Sequence, residues 1–169
     1  KNMKKILGIA FTAAALSLTA EPALADDVAS ESRAIDARVV KIQLDGVISL
    51  HVKQGATPSL TLYGDKRHIA KVKTHQRGDT LRIDSDQKTW NFGSEKHELR
   101  AELTLPNLNE FTSEGVGSTE LIGFTGEQLT LALDGAGSLK VNGRYKNIHS
   151  RMGGVGSMIL DAGSSELVD

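Results

Sequence analysis

Gly115-Val116-Gly117-Ser118, Gly135-Ala136-Gly137-Ser138 and Gly154-Val155-Gly156-Ser157 are one motif met three times, at spacings of 20 and 19 residues. A second set, Gly123, Gly143 and Gly163, recurs at 20 and 20. The apolar residues between them fall into columns: Leu108, Leu129, Ile148 and Leu167 in one, Leu121, Val141 and Leu160 in another. Independent positions holding one period mark a structural repeat. A period near 20, built from short alternating runs punctuated by glycine, predicts the coils of a β-solenoid. Each coil would hold two or three strands of ~4–5 residues plus corners. Glycine suits such corners, where the backbone turns sharply, often at positive φ, close to the coil above. Gly115, Gly117, Gly135, Gly137, Gly154 and Gly156 are therefore read as structural turn residues. The serine after each pair would add a ladder of hydroxyls.

Two other repeats of this kind are excluded. A leucine-rich repeat needs several leucines and an Asn ladder in each unit, and these are absent. A calcium-binding nonapeptide solenoid needs Gly-Gly-x-Gly-x-Asp in tandem; only Gly153-Gly154-Val155-Gly156 imitates it, and position 158 is Met.

Before the repeat, alternation predicts strands over Arg38–Leu44 and Val47–Val52 around an Asp45-Gly46 turn, then over Ser59–Tyr63. Asp65 can cap a short helix reaching Lys73, with Ile69 and Val72 on one face. Arg77-Gly78-Asp79 is a turn, Leu81 and Ile83 mark a strand, and Asp84 to Glu98 reads as a loop. Leu99 to Leu105 alternates cleanly until Pro106 ends it. The expected fold is all-β with one short helix.

The N-terminus is an address. Met3-Lys4-Lys5, an apolar run from Ile6 to Leu18, and Ala23-Leu24-Ala25 are the three parts of a signal peptide. Cleavage is expected after Ala25, leaving a polar, flexible tail over residues 26–37 and one domain over 38–169. The run is too short to span ~30 Å of hydrocarbon, and no other stretch suggests a transmembrane segment. Localisation is expected to be periplasmic or secreted. With no cysteine, disulfides, thiolate metal sites, Cys nucleophiles and an acylated N-terminal Cys are excluded, so the protein is not read as a lipoprotein. Twenty Lys+Arg against 21 Asp+Glu imply no nucleic-acid partner.

The order of elements, with a strand ending in Leu105-Pro106-Asn107 and then tandem glycine-serine coils, resembles the head GIN domain family, which carries an autotransporter-adhesin description. The resemblance runs from about Val39 to the C-terminus. It implies a right-handed β-helix-like fold in bacterial envelope proteins, and it brings no catalytic residue with it.

The residues themselves show little chemistry. His51, His68, His75, His97 and His149 lack the spacing that sets two metal ligands on one helical turn. Ser118, Ser138 and Ser157 sit outside a Gly-x-Ser-x-Gly elbow. Arg77-Gly78-Asp79 reads as turn chemistry, and Asp45 and Asp134, each before glycine, as acceptors of turn N–H groups. No catalytic residue, metal or cofactor is assigned. Trp90 and Phe92, two apart in a polar stretch, could share a strand face and stack on a sugar or partner, or fold back to plug an open coil. The expectation is a non-enzymatic envelope protein presenting a solenoid face to a protein or glycan. A β-helix carbohydrate-active enzyme and a ligand-free spacer are the alternatives. Glu166-Leu167-Val168-Asp169 begins a further coil, so the domain is expected either to continue or to self-associate through its open C-terminal coil.

Overall fold

The computed structural model describes residues 28–86, 98–161 and 166–168. The signal sequence and its cleavage site, Trp90, Phe92 and Gly163 lie outside the described residues. In chain order the elements are β1 (Val28–Arg33), β2 (Lys41–Asp45), β3 (Ser49–Gln54), β4 (Ser59–Asp65), α1 (Lys66–Ile69), β5 (Lys73–Arg77) and β6 (Thr80–Asp84). There follow β7 (Arg100–Leu105), β8 (Glu110–Ser113), β9 (Val116–Leu133), β10 (Ala136–Met152), β11 (Val155–Asp161) and β12 (Glu166–Val168).

The period-2 runs form strands because each buries one row. Ile42 and Leu44, Leu50 and Val52, Leu60 and Leu62, Leu81 and Ile83, and Ala101, Leu103 and Leu105 all face the core. Asp65 caps α1 by accepting the Arg67 N–H at 2.8 Å. The Arg67 side chain and that same N–H hold the Asp65 carboxyl well below the usual carboxylate range. The helix stops short of the expected Lys73: α1 ends at Ile69, Val72 follows in a turn closed by its N–H donating to the Ile69 carbonyl, and Lys73 opens β5, though Ile69 and Val72 are both buried.

All-β with one short helix is the class observed, but the whole is not a uniform stack. The twelve strands form one sheet that turns back on itself into a nearly closed, barrel-like form. β9 makes the turn: Thr119–Ile122 pair with β3, while Thr130–Leu133 pair with β8. The regular 20-residue stacking is confined to the C-terminal half, where β10 lies parallel to β9, β11 and β12. The N-terminal half departs from it through antiparallel pairs, β1–β4–β7 and the β5–β6 hairpin.

Three further local expectations change. Residues 28–33, taken as tail for want of alternation, form β1 against the edge of β4, with Val28 opposite Asp65 and Arg33 opposite Leu60. Pairing along a ready-made strand edge needs backbone groups, not an apolar face. Gly123 and Gly143 do not stack as corners. Ile122 pairs with Asn142 and Phe124 with Gly143, so Gly123, at φ +80, is a bulge inside a continuous strand. Leu108 is out of column, because Glu110 pairs with Thr130 and this sets Leu129 opposite Asn109. Leu108 is buried all the same, and its carbonyl accepts the Tyr145 hydroxyl at 2.7 Å. Burial pushes that phenol's pKa up.

The other columns hold. Val141 pairs with both Leu121 and Leu160, and Ile148 with both Leu129 and Leu167.

Candidate functional site

The glycine-serine motifs stack in register: Gly117, Gly137 and Gly156 in one line, Ser118, Ser138 and Ser157 in the next. A Cβ on Gly135 would sit 1.8 Å from the Gly115 carbonyl oxygen, and one on Gly137 would sit 2.0 Å from that of Gly117. Glycine is required there by the close approach of one backbone to the next. Positive φ is a second reason at Gly117, where φ is +140.

One turn of this ladder escapes the sequence reading. Asp45-Gly46-Val47-Ile48-Ser49 lies directly against Glu114-Gly115-Val116-Gly117-Ser118. Val47 bridges Val116, the Ser49 and Ser118 hydroxyls are 3.3 Å apart, and a Cβ on Gly115 would meet the Gly46 carbonyl. The acid-glycine-valine-x-serine string was the available signal. It was hidden because the two copies stand 69 residues apart, not 20. Asp45 accepts the Gly46 N–H at 2.7 Å, as turn chemistry predicts, and also takes Arg82 at 3.0 Å. Asp134 instead binds Arg151, at 2.9 Å. Ser85 closes this end of the ladder by accepting the Val47 N–H at 2.7 Å.

The same register makes an outer face. Strands lie in the order β4, β7, β3, β9, β10, β11, and every second residue points outward. Reading across them, one row is Tyr63, Arg100, Ser49, Ser118, Ser138, Ser157. The next is Thr61, Glu102, His51, Glu120, Lys140, Ile159. Glutamates alternate with His51 and Lys140 along this second row and pair locally. Glu120 sits 3.4 Å from His51 and 3.6 Å from Lys140, and Arg100 is 3.2 Å from Glu102. The Arg100 guanidinium also lies over the Tyr63 ring, 4.9 Å from its centroid.

Where β7, β3 and β9 run side by side, the face dips. The depression holds about 220 Å³ and is lined by His51, Val52, Lys53, Arg100, Glu102, Leu103 and Ile122. Three segments distant in sequence therefore meet there, which no local motif could announce. Toward β11 the surface turns apolar, with Ile159 58% and Val155 80% exposed. Among the described residues β11 pairs with β10 alone.

The expected chemistry is placed as follows. His51 lies on this face. His68 lies in α1, His75 on β5 and His149 on the far part of β10, so the structure does not bring them together. Among the described residues no group of three or more His, Asp or Glu converges as metal ligands. No helix of the described residues is long and apolar enough to cross a membrane.

The family model described as "Putative auto-transporter adhesin, head GIN domain" matches residues 40–168. The chain belongs to the head GIN domain family. Solved structures share the fold of this head GIN domain at low identity. A "putative adhesin" from Bacteroides fragilis is 20% identical with a TM-score of 0.72, over 80% of this chain and 62% of that one. A "Putative lipid binding protein" from Parabacteroides distasonis is 21% identical with a TM-score of 0.67, over 83% and 59%. A "putative adhesin" from Parabacteroides merdae is 14% identical with a TM-score of 0.59, over 77% and 55%. The head GIN domain thus spans less than two thirds of the length of each. A comparison with the curated proteins finds no match.

Proposed function

We propose that this head GIN domain is an exported, non-enzymatic surface-binding module of the cell envelope, and that its outer face of six strands is the binding surface. The observation that carries this is the face itself. It is regular along the coil direction and presents polar, charged and apolar side chains in fixed register. The family's adhesin description and the adhesin names of two of these structures support a surface-binding role. The parallel, in-register pairing of β9, β10 and β11 favours a right-handed β-helix as the geometry of the repeat. Right-handedness is the rule for parallel crossovers. Trp90 and Phe92 remain proposed contacts on sequence grounds alone.

The test is retention of the full chain on envelope preparations and glycan arrays. Ser138→Arg puts a long side chain in the middle of the face and should weaken retention by ~10-fold or more, as expected for a buried contact. His149→Arg, on the exposed far part of β10, should leave it unchanged. Equal retention of the two variants, or none by the parent, sinks the reading.

We also propose self-association along β11. Among the described residues β11 is paired with β10 on one side alone, and its other edge, carrying exposed Val155 and Ile159, is a template for a second chain. Sedimentation should show a concentration-dependent dimer that Ile159→Lys abolishes. A monomer at every concentration refutes it.

A further inference from the structure

We propose that the depression between β7, β3 and β9 is a subsite for a carboxylate-bearing sugar, a uronate residue of an acidic polysaccharide, with Lys53 as its anion contact. This rests on the outer face being the binding surface.

The charges decide the sign of the ligand. Arg100 is engaged by Glu102 and by the Tyr63 ring, and His51 by Glu120. Lys53 has no ion-pair partner among the described residues, so the depression carries one uncompensated cation. An anion bound there gains a contact without breaking one. The register then adds a second requirement. Ile122 is the direct partner of Lys53 across β3 and β9 and is 41% exposed. The ligand must therefore present a carboxylate and an apolar surface side by side, as a uronate ring does. An inorganic anion uses only the first feature. A fatty acid has both, but most of its chain would lie against polar side chains, because Val52 and Leu103 are buried and the exposed apolar surface of the lining is that of Ile122.

The backbone argues against an acidic peptide. Extended peptides bind sheets by adding to an open edge. Here β3 is hydrogen-bonded to both β7 and β9, and β7 to both β3 and β4. Among the described residues no free strand edge faces the depression, so recognition falls to side chains. Beyond it, the row that runs from Tyr63 through Arg100 and the buried Ser49 continues through Ser118, Ser138 and Ser157, exposed hydroxyls repeating at a coil spacing of ~4.8 Å. Each hydroxyl both donates and accepts, which suits the hydroxyls of neighbouring sugars.

The experiment is calorimetric titration of the full chain with a tetragalacturonate, a neutral oligosaccharide of the same length, and a polyglutamate peptide. Tetragalacturonate should saturate and should lose about tenfold or more in affinity in Lys53→Gln, the cost of removing one charged partner. Lys53→Arg should keep most of it. Lys73→Gln on β5, outside the six strands of the face, removes an exposed ammonium paired with Asp86 and should change affinity by less than about twofold. The neutral oligosaccharide should bind at least ~10-fold more weakly. No saturation by tetragalacturonate, or equal affinity in the parent and Lys53→Gln, overturns the proposal. So does polyglutamate binding as tightly as the sugar and losing as much in Lys53→Gln. If envelope retention still depends on Ser138 in any of these cases, the face reading stands and only the uronate subsite falls.

Discussion

Gly135→Val should destabilise the domain by about 3 kcal/mol or more, at the upper end of what overpacking costs. The first atom of any side chain at Gly135 would sit 1.8 Å from the Gly115 carbonyl oxygen and 2.8 Å from its carbon. These neighbours are backbone, already hydrogen-bonded into the stack, for the Ala136 N–H donates to that same oxygen at 3.1 Å. They cannot rotate aside as a flexible side chain would. Gly154 repeats the arrangement one coil on, where a Cβ would meet the Gly135 carbonyl at 1.8 Å, so the strain cannot be passed along the ladder. Two controls separate this cause from the general effect of replacing glycine. Gly78→Ala meets no atom within 4 Å but stands at φ +60, so it should cost only the ~1–2 kcal/mol of a left-handed alanine. Lys140→Gln on the outer face should change stability by less than ~0.5 kcal/mol. Chemical denaturation of the three variants gives the order directly. If Gly135→Val melts with Lys140→Gln, the close backbone approach is not what the glycine serves.

That ladder marks how far the sequence can be read. Gly135 and Gly137 were legible because their copies recur at a fixed spacing, and a fixed spacing is what parallel stacking leaves behind. Their physical reason was only half legible. Both sit at non-positive φ, and it is the neighbouring coil, not the local turn, that excludes a side chain. Gly46 belongs to the same ladder but reads in the sequence only as a turn between two strands, because β3, β4, α1 and β5–β8 stand between it and Gly115. β1 was missed for the opposite reason: its residues carry no apolar row, and its pairing is decided by an edge elsewhere. The depression was least legible. His51, Arg100 and Ile122 carry no shared motif, and only the register of β3 with β7 and with β9 makes them neighbours.

Phe111→Ala should cost about 3–5 kcal/mol, the usual range for deleting a fully buried aromatic. Phe111 lies on the four-residue strand β8, is wholly buried, and is the register partner of Ile42 on β2 and of Leu131 on β9. β8 is thus the strand through which β2 and β6 are joined to β9, the step that brings the sheet round on itself. A strand that short has few hydrogen bonds of its own, so its position depends on the side chain it buries. Losing the ring leaves a cavity between β2 and β9 that the paired strands cannot collapse to fill. Phe111→Leu keeps most of the volume and should recover more than half of the loss. Hydrogen exchange should localise the damage. Amides of β2, β6 and β8 are expected to lose protection first, while β10 and β11 keep theirs, since their pairing runs through β9 alone. A loss below ~1 kcal/mol would mean the site collapses freely. Uniform loss of protection would mean that closure and the repeat stack unfold as one unit, and the outer face could not then be altered without disturbing the core beneath it.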